Sequence, residues 1–161
     1  MESSIAVANF FVQKSFDTGV ELTPMKVVKL VYIAHGWHLA LYNGEPLINE
    51  VVQAWKYGPV VDTVYREFSK YRSSQITQQG TELGENMRII TPSVCSDKKE
   101  LLEKIWSVYG QYNGLQLSTL THQENTPWDI VWNKEGGSKK SGAIIRNSLI
   151  EDHYKEKIVK K

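Results

Sequence analysis

The stretch TPMKVVKLVYIAHGWHLALYNG, residues 23–44, constrains the fold more than any other part of the chain. Thr23 suits a side-chain cap, and Pro24 stands at the first helical position, where its missing N–H costs nothing. Asn43 and Gly44 supply the stop. Val27, Leu30, Val31, Ala34, His38 and Leu41 share one side, while Val28, Tyr32, His35, Leu39 and Tyr42 cover the adjoining one. A helix apolar over most of its circumference must be surrounded by other elements. The segment therefore predicts a central buried helix at about residues 23–43, with the rest of the chain wrapped around it.

The covering elements follow from caps and periodicity. Ser3 or Ser4 caps a first helix from about Ser4 to Phe16, with Ile5, Ala8, Val12 and Phe16 on one face. Val51, Val52, Trp55 and Tyr57 suit an extended segment that Gly58-Pro59 ends. Pro59 is then expected to open a helix through Tyr71, carrying Val60, Val64 and Phe68. Residues 72–86 are polar and read as a loop with a weak hairpin reaching Ile89-Ile90. Asp97 with Glu100, Asn113 with Gln116, and Ser148 with Glu151 read as three capping boxes. They start helices bearing Leu101, Leu102, Ile105, Val108 and Tyr109, then Leu117 and Leu120, then Ile150, Tyr154 and Ile158. The expected fold class is mainly α: one domain over residues 1–161 around the helix at 23–43, with a small β-hairpin or short-strand element. Flexible segments are expected near 72–88 and 133–142, and KEKIVKK forms a basic C-terminal tail.

Composition removes several classes of function. Of 161 residues, 41% are hydrophobic and 23% charged, as in ordinary soluble proteins. Nineteen basic and eighteen acidic residues leave a net charge near +1, so no strong general pull toward nucleic acid or anionic membrane is expected. One cysteine, Cys95, rules out an intrachain disulfide and a cysteine-rich zinc site. The start MESSIAVANFF lacks the charge and cleavage pattern of a signal peptide, and no apolar run approaches the roughly 20 residues a membrane span needs. A cytoplasmic protein is expected. The glycines of GTELG and EGGSKKSG match neither the P-loop nor the dinucleotide fingerprint, and no serine sits in a nucleophile elbow. No cofactor is implied.

Two places could carry chemistry. His35 and His38, three apart on the central helix, could ligate a metal and serve a metal-dependent hydrolase if His122 or Glu124 completed the set. HGWH lacks the four-residue spacing and built-in base of HExxH, however, so burial with ordinary hydrogen bonds is the expectation. LTHQENTPWD, residues 120–129, holds His122 and Glu124 and could be an acid–base pair. It also matches a helix start position by position, with Thr126 as cap, Pro127 in the first turn and Asp129 reaching back to the cap's N–H. A structural turn is the expectation there too. No catalytic residue and no metal ligand is assigned. Trp37 and Trp106 fall inside helices and read as packing. Trp55, Trp128 and Trp132 fall at element ends and, with Tyr57 and Tyr65, are the candidate anchors for a protein partner.

Three segments in order resemble the Panacea domain, the SocA-like antitoxin domain that includes the phage-associated GepA type. They are KLVYIAHGWHLALYNGEPLINEVVQAWKYGPVVDTVYREFSKY (29–71), LSTLTHQENTPWDIVW (117–132) and IIRNSLIEDHY (144–154). The motif positions include His38, Gly58, Pro59, His122, Glu124 and Pro127, which the resemblance implies hold the fold. It further implies a prophage or bacterial antitoxin that binds a cognate protein toxin directly. One branch of the family resembles an adaptor that hands the toxin to an ATP-dependent protease. Residues 72–96 carry no feature of the family.

Overall fold

The computed structural model describes residues 1–159, and the last two lysines of the basic tail, Lys160 and Lys161, lie outside the described residues. Helix α1 spans Ser4–Thr18 and α2 Pro24–Leu41. A hairpin of β1, Val52–Trp55, and β2, Gly58–Val60, leads to α3, Asp62–Phe68. Two short strands follow, β3 at Glu82–Leu83 and β4 at Ile89–Ile90, and then α4 at Lys99–Tyr109 and α5 at Gly114–Thr121. The chain ends with a single turn α6, Pro127–Asp129, strand β5, Ala143–Ile145, and α7, Asn147–Val159.

Helix α2 is central, as its all-round hydrophobicity requires. It packs against α1, α3, α4, α5 and α7 and touches β2. Thr23 caps it through the Lys26 N–H with Pro24 in the first turn, and the Gly44 N–H closes on Leu39 O. Leu30, Val31, Ile33, Ala34 and Leu39 are wholly inaccessible. The small antiparallel sheet has the order β2-β1-β5, with Ala54 opposite both Pro59 and Ala143.

Several local expectations are corrected. Pro59 does not open a helix; it lies in edge strand β2, where a residue without an N–H is tolerated, and the helix starts at Asp62. Phe16, expected on the buried face of α1, is exposed, because the helix outruns the surface it packs on. Asp97 and Glu100 form no capping box: a 3-10 turn at Ser96–Lys98 leads into α4, whose start has no side-chain cap. Helix α7 begins at Asn147, so Ser148 is already inside it, and Ile158 is exposed. Strand β5 lies just past a segment read as a connection; its three residues gain strand identity only by pairing with β1. The Asn113–Gln116 box is formed reciprocally at 2.8 Å each way, and the hairpin reaching Ile89-Ile90 is present.

The polar stretch after residue 72 is tied down from α1. Buried Asn9 donates to Gly80 O and Pro92 O, both at 2.9 Å, and accepts from the Gly80 N–H at 2.6 Å. Glu2 accepts from the Cys95 N–H at 2.8 Å. This satisfies backbone groups that a loop crossing the core would otherwise leave unpaired.

Close packing of α7 on α2 generates one test. A Cβ at Gly36 would lie 2.3 Å from Cε2 of Tyr154, a ring only 3% exposed. Gly36→Ala should lower stability by about 1–3 kcal/mol despite alanine's better helix propensity, because the aromatic ring has no room to retreat. Thermal or urea denaturation measures it, and an unchanged or raised melting temperature would contradict this packing.

Candidate functional site

The two most distinctive sequence segments, AWKYGPVV and LTHQENTPW, meet in space. Three side chains from three helical elements donate hydrogen bonds to alternate carbonyls of the β1–β2 hairpin. Trp128 Nε1 donates to Trp55 O at 2.6 Å, Ser118 Oγ to Tyr57 O at 2.7 Å, and Lys29 Nζ to Pro59 O at 2.9 Å. Gly58 suits the turn because its φ is +119°, and a Cβ there would also come 2.9 Å from Lys29 Nζ and displace it. The hairpin is thus held by its backbone, which leaves the Tyr57 side chain free to face outward while Trp55 stays half-buried. Tyr57 is 62% exposed, and Trp55 meets Tyr65 of α3 edge to face with ring centroids 4.9 Å apart.

These three aromatics line a cleft of about 520 Å³ together with Met25, Val28, Lys29, Lys56 and Arg72. Lys29 is 2% exposed. Burial alone drives its ammonium down to about 7, since the charged form loses its hydration. Its neighbour Lys26 is equally buried and ties α2 to Glu21 O and to Gly110 O at the end of α4. Both lysines escaped the sequence reading. The signal was there: they stand three apart in a helix whose other faces are apolar, and such residues are assigned to solvent by default.

The sequence candidates separate into two groups. Trp55, Tyr57 and Tyr65 come together at the cleft. Trp128 is 6% exposed and stacks on Trp132 with centroids 5.6 Å apart, so it is a packing residue with its indole N–H spent on Trp55 O. Trp132 is half-buried and borders an adjoining, more open depression beside Lys140 and Gly142, which shares Trp55 and Lys56 with the cleft.

The histidines do not assemble. His35 faces the Asn147 side-chain oxygen through Nε2 at 3.0 Å. His38 Nδ1 donates to Glu45 O at 2.7 Å, and its Nε2 accepts from Lys98 Nζ at 3.1 Å, which fixes a neutral ring with both nitrogens engaged. Burial holds both rings below the usual histidine range; for His38 the Lys98 charge lowers it further while the Glu45 contact opposes. His122 caps the end of α5 through Ser118 O and meets Trp128 edge to face. Glu124 is exposed, and its side chain has no bonding partner among the described residues. Among the described residues no three His, Cys, Asp or Glu side chains converge to hold a metal ion. The ligand set considered for a hydrolase, His35, His38, His122 and Glu124, is not brought together: each ring meets a different partner and Glu124 is exposed. Asp129, expected to reach the cap's own N–H, instead accepts from Asn125 N at 2.9 Å and Asn133 Nδ2 at 2.6 Å; these bonds, Asn133 first, hold its carboxyl below the ordinary range.

The arrangement defines a helical protein that presents an aromatic cleft on a backbone-clamped hairpin. The family model described as "Antitoxin SocA-like, Panacea domain" matches residues 27–129, which include the hairpin and all three clamping donors. The chain is 31% identical over 154 residues to Antitoxin SocA of Caulobacter vibrioides (strain NA1000 / CB15N), covering 93% of this chain and 81% of that protein. This chain belongs to the SocA-like antitoxin, Panacea domain family. No solved structure matches it. Among the described residues no helix is long and apolar enough to cross a membrane.

The buried lysine predicts a pH dependence of stability. Between about 7 and the ordinary lysine value, the unfolded chain keeps a proton that folded Lys29 has released. Stability therefore rises with pH through this window, with a slope of at most about 1.4 kcal/mol per pH unit from this group. The penalty is fully present below 7. Urea denaturation at a series of pH values should show that Lys29→Met removes this rise; an equal slope in both proteins would contradict it.

Proposed function

We propose that this protein is an antitoxin-like protein-binding module that neutralises a cognate protein toxin by forming a direct complex in the cytoplasm. Membership of the SocA-like antitoxin family supports the role. The observation that carries the binding surface is the aromatic group of exposed Tyr57 and Tyr65 with half-buried Trp55 around one cleft. Aromatics at element ends give large contact area at little entropic cost and dominate protein interfaces. Holding the hairpin by its carbonyls prepays the ordering cost of that surface.

Co-expression with the toxin encoded beside it should rescue growth and yield a complex that survives purification. Tyr57→Ala should weaken that complex by about tenfold or more while leaving the melting temperature unchanged, since the side chain is exposed. Unaltered affinity in a calorimetric titration would move the interface elsewhere.

Delivery of the toxin to an ATP-dependent protease is a second reading, favoured by one observation. Leu83, Met87, Ile89 and Ile90 form another exposed apolar group on the β3–β4 hairpin, made of residues separate from the cleft. An adaptor needs two docking surfaces. Met87→Asp with Ile89→Asp should keep toxin binding and lengthen toxin lifetime in cells that contain the protease. A lifetime independent of both the protease and these substitutions would leave sequestration as the mechanism.

A further inference from the structure

Resting on the reading that the chain binds a protein partner, we infer that the Trp55–Tyr57–Tyr65 cleft takes a partner segment bearing a carboxylate beside an aromatic or aliphatic side chain, with Lys29 receiving the carboxylate.

Sign of charge is the first argument. Among the described residues, Lys29, Lys56 and Arg72 are the charged residues of the cleft, and no acid lines it. In a chain with nineteen basic and eighteen acidic residues, this is a local departure rather than a general excess. The neighbouring depressions are mixed: one contains Glu21 beside Lys26 and Arg72, another Asp62 beside Lys56 and Lys140, so Lys29 is the cation that belongs to this cleft alone among the three. Charge complementarity therefore singles out this cleft as a receptor for an anion.

The state of Lys29 is the second. An ammonium has three N–H donors, and among the described residues Lys29 has one acceptor, Pro59 O. It is almost fully buried beside that carbonyl with no acid of the described residues against it, an arrangement that costs stability unless an anion arrives. A carboxylate entering the cleft supplies the missing acceptor and restores the proton that burial has made labile. The apolar walls, from Met25, Val28 and the aromatic rings, take the adjoining side chain. Volume limits the guest as well: about 520 Å³ suits one or two side chains of a protein segment. A single nucleic-acid strand instead asks for cations along a track of several nucleotides.

The test is to pan a displayed library of short random peptides on the full chain. Enriched sequences should combine Asp or Glu with Phe, Trp, Leu or Ile, and should shift the indole N–H resonance of Trp55. The selected peptide should bind Lys29→Met more weakly by on the order of tenfold or more, whereas Lys104→Met, on an exposed face of α4, should bind as the parent does. Should Lys29→Met fail to fold, the Lys29 13Cε resonance of the unsubstituted protein gives the answer. It should move toward its protonated position with the acidic peptide and stay in place with the Asn/Gln isostere. Enrichment without acids, no enrichment, equal binding to Lys29→Met, or a Lys29 resonance indifferent to the carboxylate would each overturn the inference. So would an oligothymidylate that shifts the same Trp55 signal and displaces the peptide. Any of these alongside a stable toxin complex defeats this inference alone; loss of growth rescue by the co-expressed protein defeats the antitoxin reading.

Discussion

Three hydrogen bonds to the carbonyls of Trp55, Tyr57 and Pro59 are the constraint on which the rest of the surface depends. A two-strand hairpin is marginal in water by itself. Here its carbonyls are paid by an indole, a hydroxyl and an ammonium from α6, α5 and α2, so the hairpin takes its shape from the helices. Each donor is buried or nearly so, which makes every bond costly to lose, because the partner left behind would be an unsatisfied polar group. The hairpin and the Thr126–Pro127–Trp128 turn both lie within the matched family region, and one bond joins them: the first supplies the acceptor, the second the donor.

Burying Lys29 is the unusual choice in this scheme. A neutral donor could hold Pro59 O at lower cost, since desolvating an amine's charge opposes folding. Lys26 shows the other use of a buried lysine, a tie between the loop at Glu21 and the end of α4, with its ring contact to Trp106 at 5.2 Å sharing the charge. Lys26 has two carbonyls and an aromatic face for company. Lys29 has one carbonyl and an aromatic-walled opening. That difference between two residues one helical turn apart separates a structural tie from a residue with capacity to spare.

The histidines show the converse. His35 and His38 share a helix side at a spacing that invites a metal, yet each answers to a different part of the chain, Asn147 of α7 for one and Glu45 with Lys98 for the other. Spacing along a helix says which side chains are neighbours; it says nothing about which distant donors fill their lone pairs. His122 likewise ends its own helix, while Glu124 remains in solvent.

Sequence by itself determined the central helix, its cap at Thr23, and the reciprocal box at Asn113 and Gln116. These rest on local rules: periodicity, side-chain reach over three residues, and proline's fixed φ. Tertiary structure alone decided that Pro59 is a strand residue, that β5 exists, that Trp128 is buried while Tyr57 is not, and that two lysines go inside. The reason is common to all four. A strand needs a partner, and a lysine or tryptophan near an element end takes its burial from whatever packs against it. Those partners lie tens of residues away, Trp55 O for Trp128 and Pro59 O for Lys29, where no local pattern can point.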